Sequence, residues 1–310
     1  MFFFLPQLIP RGFHIIIYGA AGSGKTTVVL FLMKQLLIEH DDAEVYYFFL
    51  DGQQYMSASF EEHLDEEGLL DRYNIMVDGT ADEMMMEIEE LVRESNDPEK
   101  LVIVLDTLKY LNPDILNKST NARVLHRIKA LTAKGVTFIS FHHTNKDGEN
   151  FAGTAEIEQD SDALLKLVTM DGEDEHSKIS TLEEGGRVRY FFEPKSFSFT
   201  KGDPSSVEMI DERIDTDKLE QQKADARVIT IIKGILTLEG QMRKSELEKF
   251  IQGDDDFDRS TKDLKDILKR YVDIHWKIQK TGERNHIHMY SVIDTTSKSI
   301  DSVRAQLAAP

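Results

Sequence analysis

The stretch HIIIYGAAGSGKTT, His14 to Thr27, decides how the rest of the chain is read. Its opening run, His14 to Tyr18, is short, continuous and apolar, which predicts a strand buried on both faces. Gly19, Gly24, Lys25 and Thr26 follow at the spacing of a phosphate-binding loop of the Walker A type. From Thr26 to His40, apolar residues at Val29, Leu32, Met33, Leu36 and Leu37 recur at helical spacing. Between a strand and a helix, glycines let backbone N–H groups curl round phosphate oxygens, and the helix N-terminus adds positive potential. Gly19, Ala20, Ala21, Gly22, Ser23, Gly24, Lys25, Thr26 and Thr27 are therefore expected to hold a nucleoside triphosphate, ATP with Mg2+. Lys25 would reach the β- and γ-phosphates and the Thr26 hydroxyl the metal.

Outward from this loop, strand and helix patterns alternate, as they do in a parallel sheet covered by helices on both faces. Val45 to Leu50 reads as a strand, Asp82 to Ser95 as an amphipathic helix, Ala122 to Ala133 as a helix and Val136 to Phe141 as a strand. Leu101 to Leu105 is a wholly apolar strand, and Asp106 at its end is placed to hold magnesium through water. Asp51 ends the second strand at the same carboxyl edge, where a carboxylate can orient or deprotonate water, with Gln53 and Gln54 as alternatives. Ser177 to Glu183 and Val188 to Glu193 read as two strands joined by a hairpin at Glu184-Gly185-Gly186. The Met84-Met85-Met86 run, at helical spacing, reads as core filler.

The length of 310 residues favours two domains, and a composition of 30% charged and 40% hydrophobic residues is that of a folded soluble chain. Cysteine is absent, which excludes disulfides and thiolate metal sites. The apolar opening lacks a basic segment and a cleavage site, and no run reaches the roughly 20 apolar residues of a membrane span, so a cytoplasmic protein without membrane association is expected. A net charge of −19 restricts any nucleic-acid contact to local basic surface. Residues 1–200 are expected to form the nucleotide-binding domain and the polar stretch 201–224 a linker. Residues 225–294, three helices and a hairpin, resemble a winged helix, and 295–310 read as a flexible tail. The expected fold class is α/β, a P-loop NTPase domain with a mostly parallel sheet followed by a small α+β winged-helix domain.

The phosphate loop, Asp51, Asp106, the segment His142-His143-Thr144-Asn145-Lys146 and the sequence AGTAEIEQDSDALLKL, residues 152–167, together resemble the RecA-like P-loop ATPases. The likeness is strongest to the replicative hexameric helicases of the DnaB and plasmid RepA type, AAA-type RecA-fold ATPases, and spans about residues 8 to 200. In those helicases a glutamate ends the second strand as catalytic base, and the matching residue here, Asp51, is shorter. The resemblance implies a γ-phosphate sensor at His143, with His142 as the alternative. It also implies a mobile loop over Thr144 to Phe151 whose Lys146 touches single-stranded DNA in a ring channel, which a loop carrying Lys118 would help to line. A cation supplied by the neighbouring subunit would come from Arg187, Arg189 or Lys195, although the family's Lys-x-Arg spacing is missing. The guanine-reading pattern of GTPases is absent, since Asn145-Lys146-Asp147 lacks its spacer.

In the winged-helix segment, Arg259, Lys262, Lys265, Lys269 and Arg270 share the third helix, and Lys277, Lys280 and Arg284 lie on the hairpin, as DNA contact would require. Asp254 to Asp256, Asp258, Asp263 and Asp266 offset them and suit a protein partner equally well. The implied activity is an ATPase that drives an oligomeric DNA motor, a hexameric helicase serving phage, plasmid or mobile-element DNA replication. Two alternatives stand beside it. One is a recombination mediator or helicase loader that uses ATP as an assembly switch. The other is a nucleotide-gated winged-helix regulator. Replication or recombination proteins are the partners expected at the winged helix.

Overall fold

The computed structural model describes residues 2–49, 54–76, 80–108, 118–144, 155–172, 176–211, 213–254, 257, 259–281 and 287–293. The chain divides into two compact units, Met1–Thr216 and Asp217–Pro310. The first opens with a small antiparallel pair, β1 (Phe3–Leu5) and β2 (Ile9–Pro10), which buries Phe4, Leu5, Leu8 and Ile9 in the core. The apolar opening of the chain is thus part of the folded body. Arg11 caps it, lying 4.1 Å over the Phe4 ring.

The strand predicted ahead of the phosphate loop is β3 (His14–Gly19), buried throughout, and it leads into α1 (Lys25–Glu39). The helix begins at Lys25 because Gly24, its N-cap, takes a left-handed φ of 82°, which turns the loop sharply into the first helical turn. Then come β4 (Glu44–Phe49), α2 (Gln54–Glu66), β5 (Tyr73–Met76), α3 (Ala81–Glu94), β6 (Leu101–Asp106), α4 (Lys118–Thr132), β7 (Thr137–His143), α5 (Ala155–Asp160) and β8 (Ala163–Asp171). A capping box starts α3, with the Thr80 hydroxyl and the Glu83 carboxylate each accepting from the other's backbone N–H. Among the described residues six strands run parallel in the order β5-β4-β6-β7-β3-β8. Alternate residues of each strand feed two cores. Ile15, Ile17, Val102, Val104, Ile139 and Phe141 pack on the side of α1, and Ile16, Tyr18, Ile103, Leu105 and Phe138 on the side of α3 and α4. Of the methionine run, Met84 and Met85 are buried and Met86 is exposed.

Three antiparallel strands extend the sheet beyond β8: β9 (Ser177–Val188), β10 (Lys195–Thr200) and β11 (Glu208–Ile210). The hairpin expected at Gly185-Gly186 does not occur there. Instead, β9 runs straight through both glycines with an irregularity in its register against β8, between the partners of Ala163 and Leu165. The glycines are needed for close packing and make no turn: a Cβ on Gly185 would strike the Tyr18 ring and lie 2.9 Å from the Lys166 Cβ. The stretch 201–224, expected as a linker, is likewise structured. It holds a 3-10 turn at Pro204–Ser206, strand β11 on the sheet edge, and from Thr216 a helix. Hydroxyls of β9 and β10 tie it to the sheet through its backbone: Thr181 Oγ1 donates to the Ile214 carbonyl at 2.8 Å and the Ile214 N–H to Ser196 Oγ at 2.8 Å.

The second unit contains α6 (Thr216–Glu239), β12 (Met242–Arg243), α7 (Lys244–Gln252), α8 (Thr261–Arg270), β13 (Trp276–Thr281) and β14 (Ile287–Val292), with strand order β12-β14-β13. Its core gathers Ile232, Leu236, Leu247, Ile251, Leu264, Leu268, Tyr271, Trp276 and Tyr290. Trp276 is fully buried and its indole N–H donates to the Leu268 carbonyl at 2.9 Å. Among the described residues no helix is long and apolar enough to cross a membrane.

Candidate nucleotide-binding site

The described parallel strands point their carboxyl ends to one edge, where the phosphate loop, Asp106 and the end of β7 come together. Gly22 and Gly24 have φ of 75° and 82°, a region L-residues other than glycine rarely adopt. Gly19 is required by crowding, because a Cβ there would stand 2.7 Å from the Leu167 carbonyl oxygen and 2.9 Å from Ser23 Oγ. A Cβ on Gly24 would run into the Phe199 ring. The loop is braced by the antiparallel extension: besides Phe199 of β10, Thr169 Oγ1 on β8 donates to the Ser23 carbonyl at 2.7 Å and shares a 2.6 Å hydrogen bond with Ser180 Oγ of β9. None of these braces carries a spacing signal in the sequence, since they reach the loop only through sheet pairing.

Lys25 is buried, and its Nζ donates to the carbonyls of Gly19 at 3.0 Å and Ala20 at 2.9 Å. The ammonium is thereby folded back over its own loop. Thr26 Oγ1 donates to Asp106 Oδ2 at 2.8 Å, which ties the start of α1 to the end of β6. The buried Tyr47 of β4 donates its hydroxyl to the same Oδ2 at 3.1 Å. Burial, then the negative charge of Asp106, pushes the Tyr47 phenol well above its ordinary pKa, so it remains a donor. Nothing in the sequence marks Tyr47, because within EVYYFF a core tyrosine and one that meets a carboxylate look alike.

β7 lies between β3 and β6, and its last two residues stand beside the loop's strand: His142 pairs with Tyr18 and His143 with Gly19. His142 is buried and His143 half-buried. Asp51 and Lys146 lie outside the described residues, as do the side chains of Lys118 at the start of α4 and Lys280 in β13. Arg189 sits at the opposite edge of the sheet. Its Nη1 donates to Asp162 Oδ1 at 2.6 Å, beside the first residue of β8, and its backbone N–H to the Asp162 carbonyl at 3.0 Å. Lys195 donates to Glu193 Oε2 at 3.0 Å. Neither contributes to the phosphate loop of its own chain. Lys262, Lys265 and Lys269 are exposed on α8 of the second unit.

The donor set fits Mg-ATP. The loop offers glycines in the conformation a phosphate cradle demands, a lysine at its centre and a threonine hydroxyl already on the carboxylate that would share the metal. Ser23 Oγ is buried in the loop with no hydrogen-bond partner among the described residues, an orphan that a phosphate oxygen would satisfy. A family model described as an AAA domain matches residues 4–149, which contain the phosphate loop, Asp106 and the end of β7. No curated protein matches the chain. The match supports ATP-dependent P-loop ATPase activity, and the mostly parallel sheet agrees with a RecA-like domain.

Proposed function

We propose that the chain is an ATP-driven DNA motor that works as a ring, hydrolyses ATP between neighbouring copies and serves replication of a phage, plasmid or mobile element as a helicase. The observation that carries this reading is the position of β7, whose terminal His142 and His143 run alongside Tyr18 and Gly19. A polar strand end in that position is suited to feel the state of the triphosphate and to pass it to the residues that follow, among them Lys146.

In this reading Lys25 leaves the Gly19 and Ala20 carbonyls for the β- and γ-phosphates, and the loop N–H groups stabilise the charge that builds there. Thr26 and Asp106 would hold Mg2+, which when bound neutralises phosphate charge and orients the γ-phosphoryl group. Asp51 is the base that takes a proton from the attacking water. Arg187 is the cation we favour for a neighbouring copy's site, since it is exposed and makes no ion pair among the described residues, whereas Arg189 is held by Asp162 and Lys195 by Glu193. The second unit, with its helix-strand-helix-helix-hairpin order, acts as a winged helix that brings Lys262, Lys265, Lys269 and Lys280 to DNA or docks a replication protein.

The test is ATP turnover with and without single-stranded DNA, alongside mass measurement with a non-hydrolysable analogue. Turnover that rises severalfold with DNA, a ring-sized mass and loss of turnover in Lys25→Ala are expected. Monomers with DNA-independent turnover would overturn the motor reading. A forked duplex left paired despite DNA-stimulated turnover would point to a loader or recombination mediator instead.

A further inference from the structure

Asp106 is almost fully withdrawn from water, the residue being 6% exposed, and a buried carboxylate that must bind a cation needs its orientation fixed by hydrogen-bond donors. Two hydroxyls converge on a single oxygen of it, Oδ2: Thr26 Oγ1 at 2.8 Å and the Tyr47 hydroxyl at 3.1 Å. They differ in what binding asks of them. The Thr26 hydroxyl is itself a magnesium ligand in a site of this kind, so its lone pairs turn to the metal. The Tyr47 hydroxyl has no such second task.

Tyr47 is also held more rigidly than a surface donor. Its ring stacks on Phe49 with centroids 4.1 Å apart and planes 25° apart, meets Phe141 edge-on at 6.4 Å and lies 6.3 Å from Tyr73. Phe49 is in turn the residue that pairs with Asp106 across β4 and β6. Strand register and ring packing thus fix the Tyr47 oxygen relative to the carboxylate before any ligand arrives.

We infer that Tyr47 is a positioning residue for the metal, whose hydroxyl keeps the Asp106 carboxylate in the orientation that receives the Mg2+ of Mg-ATP. The inference rests on the ATP-site reading above. A group that acts this way raises metal affinity without touching the nucleotide, because it lowers the freedom the carboxylate loses on binding; loss of such a partner typically weakens a metal site about 10- to 100-fold.

The experiment compares wild type with Tyr47→Phe in full-length protein, using Mn2+ as the probe metal and a non-hydrolysable ATP analogue. Free Mn2+ is read by its paramagnetic resonance signal, and analogue affinity is measured separately in chelator. Tyr47→Phe should weaken Mn2+ binding about tenfold or more while metal-free analogue affinity and the melting temperature stay close to wild type. In turnover, the Mg2+ concentration at half-maximal rate should rise, with the rate at saturating Mg2+ nearly unchanged. Tyr73→Phe is the control for packing: it removes a buried hydroxyl from the same ring cluster, one without a hydrogen-bond partner among the described residues, and should leave Mn2+ affinity unchanged. Equal Mn2+ affinity in wild type and Tyr47→Phe overturns the inference, as does an equal loss in Tyr73→Phe. A wild-type chain that binds no analogue, with or without metal, overturns the ATP-site reading itself.

Discussion

His14 opens the strand that leads to the phosphate loop, yet it is buried and serves the fold. Its Nε2 meets Ser140 Oγ at 2.9 Å, its backbone N–H donates to Asp162 Oδ2 at 3.0 Å, and the Phe138 ring stands edge-on to it. Burial lowers its pKa from 6.5 to about 4, against the opposing pull of Asp162 and Asp160. The consequence for stability has a definite sign. Above pH 6.5 the imidazole is neutral folded or unfolded, and its contribution is complete. Between pH 6.5 and about 4 the unfolded chain takes up a proton that the folded chain refuses, so stability falls by on the order of 3 kcal/mol as pH drops through that window. Urea midpoints of wild type and His14→Gln at pH 7, 5.5 and 4 isolate the effect from that of the carboxylates. Wild type should lose ground against the variant as pH falls, and midpoints that move in parallel would show that His14 is not the group responsible.

At the scale of elements, what was legible in the sequence is what a local pattern can encode. The strand-loop-helix of residues 14–40 was readable because glycine spacing and apolar period are both short-range signals, and β6 because a fully apolar run bounded by Asp106 leaves little choice. The Gly185-Gly186 pair misled for the same reason. A glycine pair between apolar runs signals a turn, and only the tertiary partners, the Tyr18 ring at Gly185 and the Glu158 and Leu164 side chains at Gly186, show that the missing Cβ atoms are a matter of space. Tyr18 also donates its hydroxyl to the Gly185 carbonyl at 3.0 Å, so the contact fixes β9 against β3 across β8. Gly185→Ala would drive a methyl into that ring, and overpacking of this kind costs about 1–3 kcal/mol. A lowered melting temperature for Gly185→Ala, largely restored when Tyr18→Leu is added, is the expected pattern. If the double variant is no more stable than the single one, crowding against Tyr18 is not what demands the glycine.

For the whole molecule, the decisive question is where the nucleotide-binding body ends. Composition places the end at residue 200, but the sheet does not stop there: β11 covers the outer edge of β10 through the pairs Ser196–Ile210, Phe197–Met209 and Ser198–Glu208. Ile214 is held at both its N–H and its carbonyl by Ser196 and Thr181. Val207 is buried in the core on the side of α1. A fragment ending at 200 would expose the backbone groups of β10, remove the buried Val207 from the core, and leave an edge strand open to pair with other chains. Because β10 carries Phe199 against Gly24, loss at this edge reaches the phosphate loop. Fragment 1–216 should therefore be monodisperse in the absence of ligand and bind nucleotide with near full-length affinity. Fragment 1–200 should aggregate or melt well below it, with nucleotide affinity reduced. Light scattering, thermal melting and analogue titration of the two fragments measure this directly. If 1–200 matches 1–216 in all three, β11 and the Ile214 contacts add nothing to the body that holds the nucleotide, and the boundary lies where composition alone would put it.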